Sequence, residues 1–161
     1  MEANRFWDFS LDVYARPGVE EACLSLQSRG GDVNLALWII WAAREGLDSR
    51  SALGEAIAIS RSWREAVIHP LRRARTALKP QPAGFDADAA SSLRKTLLEA
   101  ELNAERIQQD ALYALAQRCA CAPEPIAALG QAGLSAYAAT EGIEINTSLF
   151  LETVSTAAQK L

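Results

Sequence analysis

A chain of 161 residues that is half apolar, 22% charged and carries a formal net charge of −4 has the make-up of one folded domain with its own core, not of a disordered segment. The net acidity argues against a dedicated nucleic-acid binder, and three cysteines, Cys23, Cys119 and Cys121, are an odd set that fits a reducing cytoplasm rather than a disulfide framework. No basic-then-apolar leader opens the chain between Met1 and Asp12, and the longest apolar run, Leu35 to Ala43, is far short of the roughly 20 residues a membrane-spanning helix needs, so neither export nor membrane insertion is expected.

Apolar residues recur at three- and four-residue spacing through most of the chain, which predicts helices throughout. The first runs from about Asn4 to Ala15, with Trp7, Leu11 and Tyr14 on one stripe, and stops at Arg16-Pro17-Gly18. A second spans Val19 to Ser28, its Glu20 and Glu21 suited to the positive N-terminal end and Gly30-Gly31 supplying a left-handed stop. Asp32 is a good N-cap for a third, running through Glu45, whose middle is apolar on every side and must therefore lie centrally.

From Ser51 to Lys79 the helical pattern continues, but Pro70 removes a backbone donor and predicts a kink. Prolines and a glycine then make a loop of about 79–86 between two helical halves. Asp86 or Asp88 caps a long helix to about Arg118 with a stripe of Leu93, Leu97, Ala100, Ala104, Ile107, Ala111 and Leu115. A weaker helix interrupted by Gly130 and Gly133 follows to about Thr140, and Asn146 caps a last one carrying Phe150, Val154 and Leu161. Only Gly142-Ile143-Glu144-Ile145 is a brief strand candidate, so no sheet is expected. The pattern reads as an all-α, single-domain compact bundle of about six to eight helices around a central apolar helix at about 32–45.

Arg61, Arg64, Arg72, Arg75 and Lys79 fall within one arc at roughly 100° per residue, and with Arg73 they are opposed in that span only by Glu65. Such a stripe suits an acidic protein partner, since guanidinium forks match carboxylates; it equally suits pairing with Glu99, Glu101 or Glu105 of a neighbouring helix. Gly30-Gly31-Asp32-Val33-Asn34-Leu35 lacks the Lys-Ser/Thr of a nucleotide loop and follows a helix, which argues against a nucleotide site. Asp32 is explained as a cap, whereas Asn34 beside an apolar helix is not, and with Trp38 and Trp41 it could line an aromatic pocket.

Cys119-Ala-Cys121 with a single distant histidine, His69, cannot complete a tetrahedral metal site. No nucleophile elbow or zinc-hydrolase motif is present, and the acids one turn apart, Glu101 with Glu105 and Asp8 with Asp12, lack the histidines of di-iron bundles. No catalytic residue, metal or cofactor is therefore assigned.

The stretch Phe6-Trp7-Asp8-Phe9-Ser10-Leu11, Val13-Tyr14, Pro17-Gly18-Val19, Ala22-Cys23-Leu24, Leu26-Gln27, Asp32-Val33-Asn34-Leu35 and Leu37-Trp38 resembles a family of small uncharacterised proteobacterial proteins catalogued as a domain of unknown function. The similarity returns at Glu101-Leu102-Asn103-Ala104-Glu105-Arg106 and extends the resemblance toward the whole chain. It implies a bacterial, cytoplasmic helical protein and carries over no catalytic residue.

Residues and resemblance together leave the function unknown, with three readings open. The first is a non-enzymatic interaction or regulatory adaptor using the Arg61, Arg64, Arg72, Arg75 and Lys79 face on an acidic protein. The second, from another class, is a small-molecule binder or enzyme with a pocket at Asp32, Asn34, Trp38 and Trp41, and the third is nucleic-acid binding. Self-association stays open.

Overall fold

In the computed structural model, which describes residues 4–80 and 82–158, the most apolar stretch of the chain becomes its axis. The Asp32 carboxylate accepts the Leu35 backbone N–H at 3.2 Å and starts α3 (Val33–Arg44), in which every side chain from Leu35 to Ala43 is buried. A helix apolar on all sides has no face to give to water, so the others must surround it. They are α1 (Arg5–Tyr14), α2 (Val19–Ser28), α4 (Leu53–Trp63), α5 (His69–Ala77), α6 (Ala87–Ala116), α7 (Ile126–Glu141) and α8 (Thr147–Ala158). All except α5 pack directly on α3. Each buried Leu or Ile of α3 contributes about 1.5–3 kcal/mol by leaving water. Trp38, without any exposure, and Trp41, which sits 5.5 Å from both the Phe6 and Tyr113 rings, fill the centre. The expected all-α bundle with a central apolar helix is what forms.

Helix ends follow local chemistry. Asn4 accepts the Trp7 N–H, Asp86 that of Ala89 and Asn146 that of Leu149. Gly30, with φ at 85°, turns the chain out of α2 in the left-handed region, where a side chain would be strained. The kink expected at Pro70 takes a different form: α4 and α5 are one continuous run, joined by a π-helical turn at Arg64–Ile68, and Pro70, which has no N–H to return to that turn, stands just after it. The turn holds Ile68 in the core and directs Arg64 inward.

Three local expectations are corrected. A two-residue antiparallel ladder does exist, Leu47–Asp48 on Ala120–Cys121, whereas Gly142–Ile145 is not a strand; so short a pairing leaves no periodicity to read. Gly130 and Gly133 do not interrupt α7. A Cβ at Gly133 would lie 2.6 Å from Ile39, and one at Gly130 would lie 2.9 Å from Leu151, so both glycines let helices approach closely. On α6 the buried face is Glu101, Ala104, Gln108, Gln109, Leu112, Leu115 and Ala116, rotated from the expected stripe, and Leu93 and Ile107 are exposed. Gln81, in the expected 79–86 loop, and Leu161 lie outside the described residues. Among the described residues no helix is long and apolar enough to cross a membrane.

Candidate functional site

A cavity of about 380 Å³ opens where α1, the start of α3, the middle of α6 and the π turn meet. The size is within the range of small-molecule sites. Its walls are apolar for a helical reason. Trp7, Leu11 and Tyr14, with Ser10, recur at the spacing that keeps them on one face of α1, and that face looks across at Leu102 of α6 and Ile68 of the π turn. Leu37 closes the α3 side. Leu11 and Leu102 remain about half exposed, at the mouth.

The floor is polar and directional. Gln109 Nε2 donates to Asn34 Oδ1 at 2.7 Å, Asn34 Nδ2 donates to Gln108 Oε1 at 2.9 Å, and Gln108 Nε2 donates to Asp32 Oδ2 at 2.6 Å. Tyr137 of α7 supports this row from beneath, its hydroxyl oxygen accepting the Asp32 backbone N–H at 2.7 Å. Burial pushes the Asp32 carboxyl above its ordinary range, a tendency opposed by Arg64, by Gln108 and by the backbone N–H groups of Leu35 and Asn34. Burial likewise pushes the Tyr137 hydroxyl up to about 12.

Above the floor stands a cluster of arginines and acids. Arg72 bonds Glu101 at 2.7 Å and Glu105 at 3.1 Å, and Arg75 bonds the other oxygen of Glu101 at 2.6 Å. Burial would raise Glu101, but the hydrogen bonds from Arg75 and Arg72 outweigh it and hold the carboxyl below its ordinary value. Glu105, one turn on and lining the cavity, is raised by burial, with Glu101 and Asp32 adding to the rise against Arg72. Arg64 also lines the cavity and has no hydrogen bond among the described residues; its one ionic neighbour, Asp32 Oδ2, is 3.7 Å from Nε, beyond hydrogen-bond length.

The basic stripe is therefore largely turned inward. Arg61 pairs with Glu141 at 2.6 Å, Arg72 and Arg75 are spent on α6, Arg64 faces the cavity, and Lys79 stands exposed beyond the end of α5. Of the expected pocket residues, Asp32 and Asn34 do line the cavity, whereas Trp38 and Trp41 do not: they are core side chains, 0% and 3% exposed. The lining tryptophan is Trp7. Sequence reasoning missed Gln108 and Gln109. Their signal was two amides on the side of α6 that also carries Leu112 and Leu115, since buried polar side chains demand partners.

Five buried side-chain polar atoms have no partner among the described residues, and two of these, Ser10 Oγ and Gln109 Oε1, belong to residues lining this cavity. A larger groove of about 780 Å³ between α2 and α8 has no such atom and no buried charge in its walls. No group of three His, Cys, Asp or Glu side chains suited to a metal ion occurs among the described residues.

No curated protein and no solved structure matches the chain. A family model described as "Protein of unknown function (DUF2390)" matches residues 5–112, a span from α1 to near the end of α6 that contains every cavity-lining residue, from Trp7 to Gln109, but not Tyr137. With more than half of its length matched, the chain belongs to that family, as the motifs from Phe6 to Trp38 led us to expect.

Proposed function

We propose that this protein binds a small amphipathic organic molecule in the cavity between α1, α3 and α6. The observation that carries the reading is the coincidence in one cavity of apolar walls at Trp7, Leu11, Leu37, Ile68 and Leu102 with a polar row at Asp32, Asn34, Gln108 and Gln109 and with Arg64, which has no hydrogen bond among the described residues. Arg64, with donors uncommitted to any described residue, supplies a further polar contact. Asp32, Asn34, Gln108 and Gln109 make up the polar recognition surface, and the apolar body of the ligand lies against α1.

The adaptor reading has less support. Arg61, Arg72 and Arg75 are engaged by Glu141, Glu101 and Glu105, which leaves Arg73 and Lys79 as exposed cations for an acidic partner or nucleic acid. A bacterial cytoplasm and a single working domain remain part of the proposal, resting on the odd set of cysteines and on one core cluster that draws from every helix except α5.

The test is ligand-observed NMR with a library of small amphipathic fragments, on the wild type and on Leu102→Trp. Leu102 is half exposed at the mouth, so an indole there narrows the entrance at little cost to folding. Fragments that bind the wild type and lose contact in Leu102→Trp support the cavity. Fragments indifferent to the substitution, or an absence of binders, would contradict it.

A further inference from the structure

The run from α4 through the π turn into α5 turns one face to the cavity, and Arg64, Ile68 and Arg72, spaced four apart, carry it there. The fold treats the two cations on that face differently. Arg72 is held by Glu101 at 2.7 Å and by Glu105 at 3.1 Å, so its fork of donors is spent on α6. Arg64 meets only Asp32, whose Oδ2 stays 3.7 Å from Nε, and both Asp32 oxygens already serve other groups, Oδ1 the Leu35 N–H and Oδ2 the Gln108 amide. This holds in either state of Asp32: ionised, the carboxyl is a neighbour through space, and protonated, it leaves Arg64 with no counter-ion. The Arg64 side chain is 19% exposed against 5% for Asp32, and none of its nitrogens is sealed as Gln109 Oε1 and Ser10 Oγ are, so its donors open on the cavity.

We infer that Arg64 is the anion anchor of the cavity, and that the ligand is a monocarboxylate whose aromatic or aliphatic body lies against Trp7, Leu11 and Leu102. A guanidinium offers its donors in a plane that matches the two oxygens of a carboxylate, so the ligand replaces the acceptors that water supplies and adds the charge that water lacks. One uncommitted guanidinium suits one negative charge. A phosphate monoester carries about two and would need a second cation, and Arg72, the other cation on the cavity wall, is taken by two acids. Glu105, the acid beside it, opposes an incoming anion little, since Arg72 bonds it and burial pushes its carboxyl up toward the neutral form. The field at the turn is positive: burial first, and then Arg64, Arg72 and Arg73 against Glu65, hold His69 below its ordinary value.

This inference rests on the cavity binding a small molecule. The probes are indole-3-propionate, its neutral amide and bare indole, titrated against the nitrogen-labelled protein by NMR at about pH 7, where the acid is ionised. The wild type should bind the acid about tenfold more tightly than the amide, the scale of a charge-assisted hydrogen bond. The acid should also move the Arg64 Nε–H resonance in step with that of the Trp7 indole, whereas bare indole, with no acceptor to offer, should move Trp7 alone. Arg64→Gln should bring acid and amide within about twofold of each other, while Arg73→Gln, at an exposed cation of the same run outside the cavity, should leave the difference intact. Equal affinities in the wild type, a preference for the acid that survives Arg64→Gln, or its equal loss in Arg73→Gln would overturn the assignment while leaving the cavity reading standing. Should Arg64→Gln not fold, the wild-type spectrum decides: an Arg64 resonance that stays in place while the acid moves Trp7 overturns the assignment. If none of the three probes perturbs any cavity residue, the cavity reading falls and this inference falls with it.

Discussion

The arginine-rich face of α5 and the amide floor of the cavity are both built on α6, yet they end differently. Glu101 closes its arginines into a set of short ion pairs in which Arg72 and Arg75 are both hydrogen-bonded. A few residues on, Gln108 and Gln109 build an equally ordered row that stops at an unpartnered oxygen. The first region is complete without help and reads as structure. The second leaves an acceptor that no described residue meets, beside the cavity in which we propose a ligand binds. A stripe of cations is conspicuous in sequence whether or not the fold consumes it.

The sharpest way to break that comparison is charge reversal. Arg72→Glu with Arg75→Glu would set new carboxylates against buried Glu101, and on the scale of broken buried pairs should cost on the order of 5 kcal/mol, enough to unfold a marginal domain. Arg73→Glu, the same change at an exposed neighbour, should stay within about 0.5 kcal/mol. Equal effects in urea denaturation would show that the arginines are not spent internally. Next in size is a contrast of tryptophans: Trp38→Ala, in the core, should cost about 4 kcal/mol, whereas Trp7→Ala, half-buried on the cavity wall, should cost about 1 kcal/mol and show its main effect in ligand binding.

The two acids one turn apart on α6 give a contrast in sign. Glu101 is held below its ordinary 4.5, so its contribution to stability is present above that value and is lost as pH falls through the depressed one. Glu105 is raised, so its effect runs the other way, and stability declines as pH rises from 4.5 through the raised value. Urea midpoints measured across pH should therefore lose part of their acid-side fall in Glu101→Gln and part of their decline above 4.5 in Glu105→Gln. The smallest effect expected is that of Arg61→Ala, whose pair with Glu141 is more than half exposed on the arginine side and is worth about 0.5 kcal/mol.

Much of the bundle was legible because its signals are local. Val19 to Ser28 needed only its glycine stops, and Asp32, Asp86 and Asn146 act as the caps their side chains suggest. The π turn before Pro70 and the close contacts at Gly130 and Gly133 depend on what lies across from them, which spacing along one helix cannot reveal. The site was half legible for the same reason. Asp32 and Asn34 stood out beside an apolar helix, but their partners Gln108 and Gln109 are more than seventy residues away in sequence. Trp38 and Trp41 were misassigned because an aromatic run carries no label for which helix it will meet; the tryptophan that meets the cavity belongs to α1.

That misassignment supplies the most direct test. The protein has four tryptophans, and each indole N–H gives its own resonance in a nitrogen-correlated spectrum. Only Trp7 lines the cavity, while Trp38 and Trp41 are sealed in the core and the Trp63 N–H is held by the Ala104 carbonyl at 2.8 Å. Titration with indole should move the Trp7 signal in a saturable way and leave those of Trp38 and Trp41 in place. Movement of the core signals with Trp7 unchanged, or no movement of any signal, would contradict a ligand site between α1, α3 and α6.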